Sequence, residues 1–424
     1  MYLEIHLDCT WRDCAVVAPT TQDLSLRGGV RLQYEADYAT VHLDARDYRA
    51  LSVRVPVNLA IRTLPQWPSF LVDLLPQGAA RKRLERSASD PLSPWDLLER
   101  GAINPVGNLR VRPQQPRHHR SHPGFDLHEI IERGDAFVDY ALELGAAVAG
   151  ATDTQGEAPK FWVVEDESGR WHPDSGELPF PIRRHALLKF PVPEAGPQAQ
   201  DILRHEAVYQ SVAARCGLRV TGELPTFTNG ALLIPRFDRR VKNRKEIRLG
   251  VESLYSVAGV LDAASVFLRH DHLLIALARC VSDFRTELSE YVRRDLFNLA
   301  LGNRDNHGRN TAILKDVDGT IRLAPLYDFG PAFLDSRAIA RVIRWEGEAG
   351  GEGWSGILER LDQRFQEADL EPPSPIFRQA IAQTLPALEF LPRTMLECAA
   401  DPDVVKRRSA DIARLLAALE AARV

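Results

Sequence analysis

Cysteine is scarce in this sequence. Its 424 residues hold five, Cys9, Cys14, Cys216, Cys280 and Cys398, an odd number set mostly in apolar surroundings, which excludes a disulfide framework. Cys9 and Cys14 lack a second pair of Cys or His ligands at close spacing, so they read as ordinary thiols rather than half of a zinc site. No stretch reaches the run of about 20 apolar residues that a membrane-spanning helix needs. The opening Met-Tyr-Leu-Glu-Ile-His-Leu-Asp-Cys9 has no basic segment ahead of an apolar run, so no signal peptide is expected and the protein is placed in the cytoplasm. Positive charge is not in excess either: the net charge of -5 gives no footprint for non-specific nucleic-acid binding. Internal repeats are lacking too. What is present is an ordinary globular composition, 45% apolar and 26% charged, in a chain long enough for two or three domains.

The pattern along the chain changes character twice. Residues 1–112 mix strand and helix signals. Val30-Arg-Leu-Gln-Tyr34 and Ala39-Thr-Val-His-Leu43 alternate apolar and polar side chains as half-buried strands do, and Phe70 to Leu75 reads as a short helix stopped by Pro76. Residues 113–124 are polar, basic and Pro-containing, which fits a linker, a phosphate-binding arm or a metal-binding histidine tract. Residues 125–247 are strand-rich, with short apolar runs at Phe161–Val164, Ala186–Phe190 and Ala231–Ile234 and a helical interruption over 202–214. From about 251 helical periodicity dominates to the end. The expected architecture is α+β: a mixed α/β segment (1–112), a linker (113–124), a sheet-bearing lobe (125–247) and an all-helical lobe (248–424).

The most informative stretch is Leu301-Gly-Asn-Arg-Asp-Asn-His-Gly-Arg-Asn310, followed by Leu326-Tyr-Asp-Phe-Gly330. Asp305 and Asn310 have four residues between them, and Asp328 opens an Asp-Phe-Gly behind a strand-like run. Phosphoryl transfer needs one carboxylate beside the attacking hydroxyl and hard oxygen ligands to hold magnesium against the phosphates. That order and spacing are the kinase catalytic-loop and metal-motif pattern. Either piece alone is an ordinary turn sequence; the two in order are not.

Two further features are compatible with a nucleotide site. Lys189, in Leu187-Leu-Lys-Phe190, sits on a predicted strand among apolar neighbours, and either holds a phosphate or is a strand-end lysine reaching water. Glu206 on the following helix is the natural carboxylate to orient it. The small-residue segment from Gly145 to Lys160 either covers phosphates with its amides or is a plain flexible loop. It is no P-loop, because five residues separate Gly150 from Gly156 and Glu157 stands where that motif has lysine.

Taken together these residues resemble the HipA-like toxin kinases through nearly the whole chain. Phe70-Leu-Val-Asp-Leu-Leu-Pro-Gln-Gly78 looks like that family's N-terminal "NLLPEG" signature, and Gly101 to Leu109 like the stretch that follows it. Val148-Ala-Gly-Ala151 resembles the start of its phosphate-covering loop, Leu188-Lys-Phe-Pro191 its nucleotide-lysine strand and Arg236-Phe-Asp-Arg239 its hinge. The Asp305 loop and Tyr327-Asp328 match its catalytic and metal motifs in order. The resemblance implies a two-lobed protein-kinase-like fold and a serine/threonine kinase using ATP and Mg2+. It implies Asp305 as catalytic base with His307 beside the nucleotide, and Asn310 and Asp328 as magnesium ligands. Nucleotide contacts would come from Ala149, Gly150, Ala151, Thr152, Lys189, Glu206, Arg236, Phe237, His307, Tyr327 and Asp328. It also implies a protein substrate tied to translation, such as an aminoacyl-tRNA synthetase, and a small DNA-binding antitoxin as partner. Two positions depart from the family pattern. Pro235 replaces an acidic residue at the hinge, and Ala147 replaces the loop's phosphorylatable serine, which leaves Thr152 or Thr154 for any self-modification there. A catalytically weak relative that acts by binding DNA or a partner is the alternative reading, and the intact Lys189, Asp305, Asn310 and Asp328 favour the enzyme.

Overall fold

A computed structural model describes the chain except for residues 77, 115–121, 133–136, 138–140, 142–159, 176–177, 192–196, 262–267, 336–338, 349–352 and 422–424. It divides into two compact units. The first, mostly strands, comprises Met1–Gly196, Pro225–Leu261 and Leu314–Thr320. The second, mostly helices, comprises Pro197–Leu224, Asp262–Ile313 and Ile321–Val424.

The first unit holds two five-stranded antiparallel sheets. In one, β1 (Tyr2–Leu7), β2 (Thr10–Pro19), β3 (Val30–Tyr34), β4 (Arg62–Leu64) and β5 (Leu109–Val111) run in the order β4-β3-β2-β1-β5. Alternation in β3 buries Val30, Leu32 and Tyr34 and leaves Arg31 and Gln33 to solvent, as its sequence indicates. Asp8 and Cys9, at φ 50° and 62°, make the two-residue turn from β1 to β2, which needs positive φ at both positions. Cys9 is therefore a turn residue, while the Cys14 thiol is buried and donates to the Leu3 carbonyl at 3.3 Å. The strand expected at Ala39–Leu43 is instead part of a helix, Ala36–Val41. Helical spacing brings the His42 ring within 4.6 Å of Tyr38 and lets Thr40 Oγ1 donate to the Ala36 carbonyl.

The second sheet contains β6 (Lys160–Asp166), β7 (Trp171–Pro173), β8 (Ile182–Lys189), β9 (Thr226–Thr228) and β10 (Ala231–Pro235), in the order β7-β6-β8-β10-β9. Phe161, Val163, Ala186, Leu188 and Leu233 fill the core on one face. Lys189 ends the central strand on the other, the face of Leu187, paired with Lys160 on β6 and Leu232 on β10.

Beside that second face lies a buried ionic cluster. The Asp238 carboxylate accepts from Arg236 at 2.7 Å, from Arg239 at 2.6 Å and from the Gly107 amide at 2.8 Å. Arg239 also donates to the carbonyls of Gly107 and Pro105. Arg248 donates to Asn104, whose amide donates to Asp174, and Arg236 lies 3.9 Å over the Trp162 ring. The residues 104–107 that precede β5 are thereby tied to the chain after β10. Burial alone would raise the Asp238 carboxyl, but Arg236 and Arg239 outweigh it and hold the group well below the usual carboxylate range. Asp238→Ala leaves two buried guanidiniums without this partner and is expected to destabilise the protein by about 3–5 kcal/mol in urea unfolding. Because the pKa is depressed on folding, the contribution of Asp238 is complete above the unfolded value of about 3.9 and disappears as pH falls through the folded value. A loss under about 1 kcal/mol would show that the cluster is dispensable.

In the second unit, helix Phe284–Leu301 packs on helices Ser374–Glu389 and Pro402–Ala421, and helix Leu391–Glu397 packs on Pro197–Arg215. Asp283 caps the first of these through the Thr286 amide. Its far end stops at Gly302, φ 69°, where a Cβ would come within 2.9 Å of Arg408 and Phe333. The sequence from residue 248 onward is not all helical: short strands Gly250–Ser253, Ala312–Lys315 and Ile321–Leu323 break it. Helix Pro197–Arg215 belongs to this helical unit, although in sequence it lies between strands of the sheet.

Candidate active site

Gly302 releases the chain from helix Phe284–Leu301 into the loop that carries the chemistry. Asn303 anchors the turn, donating to Asn298 at 2.9 Å while its Oδ1 accepts from the Asp305 amide at 3.3 Å. Asn310 closes the loop from the other side, its Nδ2 donating to the Asp305 carbonyl at 2.9 Å and its amide to the His307 carbonyl. Asp305 is thus held through both of its peptide groups, and its carboxylate is left to face His307 Nε2 at 3.5 Å. His307 Nδ1 accepts from the Arg309 amide at 3.3 Å. The loop therefore brings Asp305, His307 and Asn310 together, as their spacing implies.

The side-chain amide of Asn310 has a further property. With Nδ2 engaged, Oδ1 is buried and has no hydrogen-bond partner among the described residues. An amide oxygen sealed from solvent with its lone pairs unused costs on the order of 1–3 kcal/mol, unless a cation or donor absent from the protein meets it. A hard oxygen held in this way fits a magnesium ligand.

The second motif follows the strand Ile321–Leu323. Tyr327 donates its hydroxyl to the Arg309 carbonyl at 2.5 Å, which stitches this segment to the loop. Asp328 stands at φ 52°, a left-handed conformation rare for a side chain other than Asn, Asp or Gly. Phe329 is 1% exposed, with its ring 5.8 Å from that of Tyr209 on helix Pro197–Arg215. On the same helix, Glu206 packs its Cβ against Gly330, 3.6 Å from where a glycine Cβ would stand. Buried Glu206 thus adjoins the Asp-Phe-Gly turn within the helical unit. Among the described residues no three His, Cys, Asp or Glu side chains converge to bind a metal by themselves. One carboxylate and one amide suit an ion that completes its shell with phosphate oxygens and water.

Lys189, Arg236 and Phe237 belong to the strand-rich unit. Lys189 is only 5% exposed at the end of the central strand. Arg236 is engaged with Asp238 and Asp174, and its amide donates to the His185 carbonyl, so at this position the backbone is fixed as firmly as the side chain. Ala147, Ala149, Gly150, Ala151, Thr152 and Thr154 lie outside the described residues.

Sequence reasoning missed one set of residues. Asn306, next to Asp305, donates from Nδ2 to the Ile343 carbonyl at 2.8 Å and accepts on Oδ1 from the amides of Val342 and Ile343. That segment is fixed again by Arg341, which pairs with buried Asp295 at 2.7 Å, and by Trp345, whose indole donates to Asp295 at 2.8 Å. Burial would raise the Asp295 carboxyl, but Arg341 and His270 more than reverse it; burial pushes His270 itself down to about 4. No local signal marks the pair, because Asp295 follows Arg293 and Arg294 in sequence while its partner lies 46 residues along the chain.

Comparison with known proteins agrees in outline. A family model described as the HipA-like C-terminal domain matches residues 152–384. A protein of Sinorhizobium fredii named "Putative kinase Y4mE" is 25% identical over 332 residues, 75% of each chain. A chain in the Shewanella oneidensis MR-1 toxin–antitoxin complex of HipA, HipB and operator DNA matches with a TM-score of 0.68 and 16% identity, covering 99% of this chain and 97% of that one. At that identity the structural likeness speaks for the fold alone.

Proposed function

The chain belongs to the HipA-like C-terminal domain family, and we propose that it is a kinase that moves the γ-phosphate of ATP to a serine or threonine hydroxyl of a protein. The observation that carries this reading is the buried Oδ1 of Asn310, without a hydrogen-bond partner among the described residues, in the loop that also holds Asp305. In this proposal Asp305 positions the substrate hydroxyl and takes its proton as the oxygen bonds to phosphorus and ADP departs. Asn310 and Asp328 would hold magnesium, which when bound would neutralise charge on the phosphates. His307 and Tyr327 keep the loop in shape beside the nucleotide. Lys189 meets a phosphate, with Glu206 as its orienting carboxylate, and Ala149 to Thr152 cover the phosphates. The chain at Arg236 and Phe237 borders the adenine through its backbone, because the Arg236 side chain is committed elsewhere.

The finer parts of the proposal rest on the relatives. The name of the Sinorhizobium protein supports a kinase. The HipB and operator DNA in the Shewanella complex support a small DNA-binding antitoxin as this chain's partner. A translation protein such as an aminoacyl-tRNA synthetase is the substrate class proposed, in the cytoplasm. No helix among the described residues is long and apolar enough to cross a membrane.

Lys189 gives a direct test. Lys189→Ala is expected to raise the ATP concentration for half-maximal rate and to lower turnover, each by about tenfold, the effect of about 1.4 kcal/mol of lost interaction. Steady-state kinetics over a range of ATP would show it. If both parameters are unchanged, Lys189 is a structural lysine and the nucleotide assignment of β8 fails.

A further inference from the structure

Helix Phe284–Leu301 carries a second feature on its first half, away from the catalytic loop. Arg285, Ser289 and Arg293 recur every four residues and so form one row along the helix. Facing them on helix Ser374–Glu389 are Ile376, Gln379 and Gln383, and the two rows line a cavity of about 320 Å3. That volume lies at the small end of the range for ligand sites. By the helical rise of 1.5 Å per residue, the row stands about 12 to 24 Å along the axis from Leu301.

The charges in this cavity do not cancel. Arg219 and Glu290 also line it, but Arg219 is paired with Glu287 at 2.7 Å and Glu290 with Arg294 at 2.7 Å. Asp283, at the mouth of the helix, caps it by accepting from the Thr286 amide and hydroxyl, and its charge is also felt by Arg285, without an ion-pair contact. Arg285 and Arg293 form no ion pair among the described residues. Arg285 makes one long contact, 3.5 Å to Gln379 Oε1. Arg293 is fixed by a 2.7 Å bond from Nη2 to the Cys216 carbonyl, and its Nε is buried with no hydrogen-bond partner among the described residues. A guanidinium held rigid and partly desolvated costs free energy that a bound anion beside its exposed nitrogens would recover.

We propose that this cavity is a binding site for a small phosphate monoester, separate from the nucleotide site. The dianion matches two guanidiniums that form no ion pair among the described residues, Ser289 supplies a hydroxyl, and Ile376, Gln379 and Gln383 flank the organic part of the ligand. Calorimetric titration of the full chain with glycerol 3-phosphate, with glycerol as control, tests it. Saturable binding is expected for the phosphate and none for glycerol. Arg285→Glu, a change at an exposed side chain, is expected to weaken binding at least tenfold, and Arg293→Ala to do the same. Asp328→Asn is expected to leave it intact, which separates this site from the metal and nucleotide groups. Arg285→Glu serves as the deciding variant if Arg293→Ala does not fold. Failure of the wild-type protein to bind, equal binding by Arg285→Glu, loss in Asp328→Asn, or binding of a phosphoserine peptide but not glycerol 3-phosphate would each overturn the assignment.

Discussion

Asp305→Asn is expected to lower phosphotransfer by about 100- to 10,000-fold, the usual contribution of a positioned general base, while unfolding behaviour stays that of the wild type. The geometry makes this a clean substitution. The loop is held at residue 305 through its amide, by Asn303, and through its carbonyl, by Asn310, and the substitution leaves both bonds in place. Asparagine keeps the side-chain volume and removes only the proton acceptor. Transfer of labelled phosphate from ATP, read beside a thermal melt, separates the two effects. A variant with wild-type transfer would mean that Asp305 is a loop residue and not the base.

Asp328→Asn is expected to act on the metal rather than on the proton. Its backbone lies at φ 52°, a conformation that asparagine tolerates nearly as well as aspartate, so the turn should persist. What is lost is the charged oxygen ligand that a hard divalent ion prefers. The magnesium concentration for half-maximal activity should rise at least tenfold, equivalent to about 1.4 kcal/mol, with a lower rate at saturation. An unchanged magnesium dependence would remove Asp328 from the metal site and leave its strained backbone unexplained.

The parts of this account that were legible in the sequence are the local ones. Asp305, His307 and Asn310 meet because a six-residue loop can hardly hold them apart, and the order of residues is enough to find them. Strand β3 was legible because its five residues alternate between a buried and a solvent face, as its sequence indicates. Ala39–Leu43 alternates just as well, but a run that short fits a helix too, and the neighbouring Tyr38 and His42 rings settle it in favour of the helix. The support of the loop was not legible. Asn306 grips residues 342 and 343 by their backbone, and Asp295 finds Arg341 across 46 residues, so no side-chain pattern announces either. The buried cluster around Asp238 is similar: each arginine alone reads as a surface residue, and only the fold shows Arg236, Arg239 and Arg248 enclosed together. The placement of helix Pro197–Arg215 in the helical unit, where Glu206 reaches Gly330, also depends on packing that sequence order hides.

One loop and one Asp-Phe-Gly turn are proposed to make this chain a magnesium-dependent protein kinase. The most direct measurement incubates the purified protein with γ-labelled ATP, magnesium and a bacterial lysate, in parallel with Asp305→Asn and with magnesium chelated. Label should pass to lysate protein on serine or threonine, and both the substitution and the chelator should abolish it. Label transfer that survives Asp305→Asn, or a folded wild-type protein that transfers none, would contradict the account.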